Sequence, residues 1–433
     1  MKNKAINSVL ALLAAAALTG CSSGVNSSAV HGDYTPRDIG GTGADSGDMF
    51  ADVETAADAA EAGGFANEYC EPIIDPIDPI DPIYPIEPAE PISPQPDPQA
   101  GLLTGGEWND NENWDFWQGL YSSNNYGVDW DSYRDIWQTG VKSRAAVTVK
   151  DGSGAPVSGA KVEGLGYAAV TDNKGRAYLF YDERGLQGET SEFTVTFGGS
   201  AQRFTESVDG GFEFELTLSD AAKPAAKSLD LMIMCDATGS MGDELEYLKA
   251  ELEDVVTRIR DDNANLPTRI SVNFYRDEGD EYVVREYPFT TDLGAAVTAI
   301  SEQSADGGGD TPEAVHTALA GAVSNDWAED SVKVMFLVLD APPHDDPQII
   351  AETVEHIREA AEKGIRIVPV AASGVDKSCE YLLRSMAIMT GGTYVFLTDD
   401  SGIGYGHIEP TIGSCEVEKL NDMMVRIVSG YLE

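Results

Sequence analysis

From Leu229 onward the chain alternates short apolar runs with stretches of helical period. Leu229–Cys235 is apolar apart from Asp230, and Val332–Leu339 and Ile365–Val370 repeat the pattern. Between them lie Glu244–Arg260, with Leu245, Leu248, Leu252 and Val255-Val256 on one side, and Pro347–Lys363, with Ile350, Val354, Ile357 and Ala361 at helical spacing. Ile270–Tyr275, Tyr282–Tyr287 and Thr393–Leu397 read as further strands. Leu293–Ile300, Pro312–Val323, a segment around Glu380–Met389 and Val417–Tyr431 read as further helices. Apolar strands bounded by amphipathic helices predict a mainly parallel, doubly wound α/β sheet covered on both faces. Such a sheet binds ligands beyond the carboxyl ends of its strands.

A different period governs residues 143–218. Ala145–Val149, Val157–Val162, Ala177–Phe180, Phe193–Phe197 and Phe212–Leu218 are short β runs, the last in strict alternation, separated by turns such as Asp151–Gly154 and Thr171–Arg176. They predict a small all-β sandwich ahead of the α/β domain, so the chain is multidomain. The series V-T-V-K-D-x-x-G-x-P-V-x-G-A-x-V from Val147 to Val162, followed by T-D-N-K-G-R-A from Thr171, resembles transthyretin-like and carboxypeptidase-regulatory-like modules. That resemblance implies a spacer or support without an active site. Ala221–Lys227 is a small hinge before the domain at 228–433.

Upstream the hydrophobic pattern dissolves. Residues 71–98 repeat Asp-Pro-Ile three times from Asp75 and keep Pro at nearly every second or third position, which predicts an extended polyproline-type spacer. Residues 21–70 are acidic and of low complexity. Residues 107–140 hold Trp108, Trp114, Trp117, Trp130 and Trp137, five of the six tryptophans, with Tyr121, Tyr126 and Tyr133. Rings of that size predict an accessory element packed on the later domains, or else a glycan- or peptide-stacking platform.

Residues 1–20 form an export signal. Lys2 and Lys4 precede an Ala/Leu run from Val9 to Leu18, too short for a comfortable membrane span. Leu18-Thr19-Gly20-Cys21 resembles the bacterial lipobox, whose cysteine takes a diacylglycerol and becomes the mature N-terminus. The resemblance implies a lipoprotein of the bacterial cell envelope held in the bilayer through Cys21, and Ser22 fits transport to an outer membrane, where surface display is open to it. Charge narrows the partners further. The 433 residues carry 28 Lys plus Arg against 74 Asp plus Glu, a formal net charge of −46. No general basic face can therefore hold nucleic acid, and no basic patch can hold anionic lipid. Between Arg37 and Arg134 there are 21 carboxylates and no Lys or Arg, a block that repels itself and stays extended.

Candidate chemistry lies where strands end. Asp236-Ala237-Thr238-Gly239-Ser240-Met241 follows the first apolar strand, and a carboxylate with two hydroxyls at i, i+2 and i+4 can turn inward around one hard cation. Asp340 ends the Val332–Leu339 run, and Asp310 and Thr311 lie in the loop Gly307–Pro312. One sheet edge thus offers Asp236, Thr238, Ser240, Asp310, Thr311 and Asp340. Oxygen donors alone suit one divalent cation, Mg²⁺ first, then Mn²⁺ or Ca²⁺, and not a structural zinc. Asp236 and Ser240 can instead merely cap a helix.

Asp236–Met241 also resembles the D-x-[ST]-x-S-M signature of von Willebrand factor type A domains, their metal-ion-dependent adhesion site. The glycine loop before Thr311-Pro312-Glu313 and the strand ending at Asp340 follow in the family's order, so the resemblance covers Ser228–Glu433. It implies a Rossmann-like fold with a metal held by Asp236, Thr238 and Ser240, by an oxygen of the Asp310-Thr311 pair, and by Asp340 through water. It also implies one coordination position left for a partner protein's carboxylate. Two departures stand out. Thr238 replaces the commoner serine, and Gly309-Asp310-Thr311 puts an aspartate where adhesive members place a threonine. A third carboxylate at the metal would weaken attraction for an acidic partner.

His-Glu-x-x-His and the phosphate loop are missing from the sequence, and no Gly-x-Ser-x-Gly elbow occurs within 143–433, so an enzyme is not expected. His344 and His407 are candidates for the rim of the metal site. Cys379 and Cys415 flank the last strand and can form a disulfide in an oxidising compartment. The leading reading is an envelope-anchored, metal-dependent protein-binding module for adhesion or assembly. The alternative is a structural lipoprotein whose metal only steadies the fold, and a third reading is metal-assisted hydrolysis.

Overall fold

Alternating burial along the strands and one-sided burial along the helices define the architecture, for which the computed structural model describes residues 37–39, 96–122, 128–181, 190–207, 212–219, 228–309 and 311–433. Residues 1–20, read from the sequence as an export signal, Cys21, nearly all of the Pro/Asp spacer and Asp310 lie outside these residues. A short strand β1 (Arg37–Ile39) is followed by β2 (Thr104–Trp108) and two helices, α1 (Trp114–Gly119) and α2 (Trp130–Trp137).

The all-β module follows as expected. It comprises β3 (Arg144–Asp151), β4 (Lys161–Gly164), β5 (Tyr167–Val170), β6 (Arg176–Phe180), β7 (Thr190–Phe197), β8 (Ser200–Ser207) and β9 (Glu213–Leu218). Sheet β6-β3-β9 faces sheet β5-β4-β7-β8. Val147, Val149, Phe214 and Leu216 of one sheet and Val162, Phe193 and Val195 of the other belong to the buried core, the period-two sets that the sequence alternation marks.

The α/β domain carries β10 (Ser228–Asp236), α3 (Leu245–Asp262), β11 (Thr268–Tyr275), β12 (Val284–Glu286), α4 (Leu293–Ser301), α5 (Val315–Ser324), β13 (Ser331–Leu339), α6 (Pro347–Lys363), β14 (Ile365–Ala371), α7 (Lys377–Thr390), β15 (Tyr394–Leu397), β16 (Val417–Lys419) and α8 (Leu420–Leu432). The sheet order is β1-β12-β11-β10-β13-β14-β15-β2-β16, with β11, β10, β13, β14 and β15 mutually parallel. Antiparallel strands close both edges. Helix α3 packs with α4 and α8, and α6 packs with α5 and α7, so alternate residues of β10 bury against different helix layers. The sandwich with its attached α/β sheet matches the predicted architecture.

Two element boundaries differ from the sequence reading. Val417–Lys419 is an edge strand rather than the start of the last helix, because β2 offers it a free edge. Gly106 makes that layer possible: a Cβ there would lie 2.3 Å from the Phe396 ring. Helix α5 begins at Val315 rather than Pro312, since Glu313 pairs with Pro343 in a β-bridge and donates its N–H to the Pro342 carbonyl at 3.0 Å.

The tryptophan segment is built into the α/β domain. Besides β2 pairing with β15, Trp117, Trp130 and Trp137 are buried against α7. Trp117 and Trp130 lie 5.6 and 5.4 Å from the Tyr381 ring, and Trp137 Nε1 donates to Ser378 O at 3.0 Å. These three rings are committed to packing and form no stacking platform. Beneath them Arg384, fully buried, makes a bidentate pair with Asp110 (2.9 and 2.6 Å) and bonds Glu380 Oε1 at 3.0 Å. Glu251 on α3 accepts the N–H groups of Gly101, Leu102 and Leu103 at 2.9, 2.9 and 3.0 Å, fastening the incoming chain.

The expected Cys379–Cys415 disulfide is corrected: both thiols are free. Helix α7 turns Cys379 wholly into the core, whereas Cys415 sits on the exposed loop before β16, so the two side chains face different surroundings. Cys235 is also free and buried. Among the described residues no helix is long and apolar enough to cross a membrane.

Candidate metal site at the carboxyl edge of the sheet

Asp236 ends β10, beside Tyr275 in register on β11, and is wholly buried. Its Oδ1 accepts from Thr238 N at 2.8 Å and from Thr238 Oγ1 at 2.7 Å. The chain then enters a short 3₁₀ turn, Gly239–Asp243, which brings Ser240 Oγ within 3.1 Å of Thr238 Oγ1 and leaves Ser240 exposed. The carboxylate and both hydroxyls of the signature therefore gather at one point. Asp340 follows the last residue of the adjacent parallel strand β13, and Ser240 hydrogen-bonds its carboxylate.

Backbone hydrogen bonds hold the glycine loop against this turn. Asp306 N donates to Ala237 O at 3.1 Å, and Gly239 N donates to Gly307 O at 3.2 Å. Gly307 and Gly308 have φ of +78° and +72°, and a Cβ on Gly307 would lie 2.3 Å from an Asp280 oxygen. Only glycine accommodates both demands. Asp280 in turn accepts from Gly308 N at 2.9 Å, and buried Arg276 donates to Ala237 O (3.2 Å) and Ser304 O (2.9 Å). Backbone bonds, the Asp280 carboxylate and the Arg276 guanidinium thus pin the loops together.

Four carboxylate oxygens among the described residues, Asp236 Oδ2, Asp243 Oδ1, Glu313 Oε2 and Asp340 Oδ1, are buried without a hydrogen-bond partner. Burial raises the pKa of all four groups; Asp340 pushes Asp236 up further, while Ser240 partly offsets the rise at Asp340. Glu313, buried and facing Asp236, Asp277 and Asp340, is pushed up to about 9. Unpaired buried carboxylates are costly, and a hard cation beside hydroxyl oxygens removes that cost. The donor chemistry fits such an ion. Among the described residues no group of three or more Asp, Glu, His or Cys side chains that could hold a metal ion is found.

The other sequence candidates fall at different places. Thr311 is exposed. His344 Nε2 hydrogen-bonds Asp277 Oδ1 at 3.0 Å on the β11 side of the edge. His407 is held between Glu244 Oε1 and Asp399 Oδ1, both at 2.8 Å, an arrangement in which both ring nitrogens donate only when the ring is charged. Burial lowers its pKa, but the two carboxylates outweigh that and raise it. Glu313, Asp280 and Arg276 were missed as site residues. Glu313 reads in sequence as the first turn of a helix, and only its bridge to Pro343 reveals its inward turn.

Residues 230–402 match the von Willebrand factor A domain family. Over 119 residues the chain is 35% identical to the putative ariadne-like RING finger protein R811 of Acanthamoeba polyphaga mimivirus, covering 27% of this chain and 11% of that protein. The chain therefore spans about a tenth of that relative's length. The crystal structure of the SpRpn10 VWA domain aligns with 37% of this chain and 82% of its own, at 10% identity and a TM-score of 0.29. Residues 230–402 of this chain form a von Willebrand factor A domain, a fold that generally serves protein interaction.

Proposed function

We propose that this protein is a divalent-metal-dependent protein-binding module, displayed from a bacterial cell envelope, with an outer membrane as its site and lipid on Cys21 as its anchor. The observation that carries the metal reading is the set of partnerless buried carboxylate oxygens beside the hydroxyls of Thr238 and Ser240. Asp236, Thr238, Ser240 and Asp340 would hold the ion, with the glycine loop adding a further oxygen. Bound there, the cation supplies a Lewis-acidic anchor for an oxygen of a partner protein. Ser240 lies on the solvent side, so a partner can approach.

The placement of the sandwich favours display of this edge. Arg366, near the start of β14, donates to Val170 O of β5 at 2.6 Å, and Tyr167 OH donates to Met389 O near the end of α7 at 3.2 Å. Those contacts lie at the amino ends of the parallel strands, opposite Asp236 and Asp340. The support therefore attaches behind the module and leaves the carboxyl edge open.

Capture from cell extract tests the function. The wild-type protein with Mg²⁺ should retain a partner that is lost with chelator and lost again with Asp236→Ala. Retention unaffected by either change would favour the alternative, a structural lipoprotein whose metal only steadies the fold. The anchor has its own test: Cys21→Ser should move the protein from membrane to soluble fractions and abolish fatty-acid labelling. A Cys21→Ser protein that stays wholly membrane-bound, with no label in the parent, removes the lipid anchor from the proposal.

A further inference from the structure

We infer that His407 is the latch of a pH-sensitive strap: its charged ring joins Glu244 to Asp399 and holds residues 404–407 on the turn that carries Ser240, and loss of the ring proton frees them. The inference is independent of the metal reading. The His407 side chain is 2% exposed, and Glu244 is wholly buried. Nε2 meets Glu244 Oε1 and Nδ1 meets Asp399 Oδ1, while His407 N donates to the same Asp399 oxygen at 3.0 Å. Both partners are carboxylates, so the two ring contacts are hydrogen bonds together only when the imidazole carries both protons. A neutral ring turns a lone pair on one of them. Among the described residues His407 is the one basic side chain paired with Glu244, so losing the proton also leaves a buried carboxylate without its counter-charge.

Three elements meet at the latch. Glu244 stands between the 3₁₀ turn Gly239–Asp243 and α3, Asp399 opens the turn after β15, and Ser373 N, just past β14, donates to Glu244 Oε1 at 3.3 Å. The loop is shaped to lie on this group. Tyr405 N donates to Asp243 Oδ2 at 2.7 Å. Gly404 has φ of +83°, and a Cβ there would fall 2.1 Å from Glu244 Oε1, an approach open to glycine. Tyr405 is 75% exposed, so the strap holds its backbone and offers the ring to solvent. The charged groups facing the His407 ring are Glu244 and Asp399, and Asp243 faces the loop backbone. Burial pulls the His407 pKa down, but the two carboxylates outweigh it and raise it above the ordinary 6.5. The His407 N–H and ring in turn hold Asp399 below its ordinary 3.8. The latch is therefore closed from the lowered Asp399 value up to 6.5, and it is lost as pH rises through the raised His407 value.

NMR of the full chain labelled in histidine follows the ring. Hydrogen exchange at the Tyr405 and His407 amides, corrected for its intrinsic pH dependence, follows the strap, with chelator present throughout. The ring should titrate above 6.5. Amide protection should fall about tenfold or more once the pH passes the measured midpoint, the scale of losing a charge-assisted hydrogen bond. Asp236 and Asp340, at about 7 and about 6, titrate in the same range, so His407→Gln is the control. Glutamine keeps one hydrogen bond and no charge, and its loop should show the low protection at every pH. Asp399→Asn, at a side chain 72% exposed, should fold normally, lower the His407 midpoint and shrink the fall in protection. Wild-type protection that ignores pH, an equal fall in His407→Gln, a ring midpoint at or below 6.5, or a midpoint unmoved by Asp399→Asn overturns the inference.

Discussion

Arg384→Ala is expected to cost about 3–5 kcal/mol of stability, the range for breaking a buried ion pair by removing one partner. Arg384 is fully buried, with Asp110 3% exposed and Glu380 0% exposed. Its guanidinium makes two bonds to Asp110, one to Glu380 and one to Thr411 O at 2.6 Å. Burial opposes its charge, but Asp110 and Glu380 more than compensate and raise its pKa. Alanine leaves two carboxylates in a low-dielectric layer under Trp117 and Trp130. Lys377 remains on Glu380 at 2.8 Å, so Asp110 suffers more. For a cooperative unit with an unfolding entropy of ~2 cal/mol/K per residue, the loss corresponds to a Tm lowered by about 4–7 °C. Adding Asp110→Asn to the Arg384→Ala protein should restore part of it, because the uncompensated charge disappears. Calorimetric melting of the three proteins checks this. A fall of under about 1 °C in Arg384→Ala would show that water enters the layer and that the network does not hold the N-terminal segment to α7.

The second large effect is the response to metal. The unfolded chain has no assembled site, so a divalent ion that binds the folded form stabilises it by linkage. At a free ion concentration about a hundred times Kd the gain is about 2.7 kcal/mol, which for a unit of this size raises Tm by about 4 °C. Mg²⁺, Mn²⁺ and Ca²⁺ should each be compared with chelator, using the full chain. Asp236→Ala should melt at one temperature whatever the ion, since it removes the carboxylate that also orders Thr238 through two hydrogen bonds. Equal melting of the wild type with every ion and with chelator, at saturating concentrations, would return Asp236 to a simple turn-capping role. A fragment starting at Ser228 is unsuitable for either experiment. It lacks β2, which pairs with β15 and β16, and it lacks Asp110.

The charge balance sets the setting of both measurements. Exposed carboxylates line the same edge, including Glu278, Glu281 and Asp306. They concentrate cations near the loops at low salt and are screened over about 10 Å at 0.1 M salt. Metal titrations therefore need fixed ionic strength for their affinities to describe the site rather than the surface.

Periodicity alone determined the parts of this protein that depend on local chemistry. Continuous apolar runs such as Leu229–Cys235 and Val332–Leu339 can be buried only between helix layers, so the parallel α/β sheet was legible. Strict alternation from Phe212 to Leu218 marked a strand with one face buried, and the sandwich followed. The Asp236–Ser240 cluster was legible too, because its three side chains are joined by a single tight turn. Contacts between residues distant in sequence were not legible, since no local pattern encodes them. Trp108 and Arg384 are 276 positions apart, yet the segment around the first closes the sheet edge beneath which the second is buried. Glu313 shows the same limit in miniature. Its sequence neighbours suggest the exposed first turn of a helix, but the strand end at Pro342-Pro343 captures its backbone and turns the carboxylate inward. Cys379 and Cys415 show it in reverse: their sequence positions suggested a bridge, and burial of one face of α7 separated the thiols. Local chemistry decided which elements form. Packing across the sheet decided which charges are buried together, and that is what makes the carboxyl edge a candidate site.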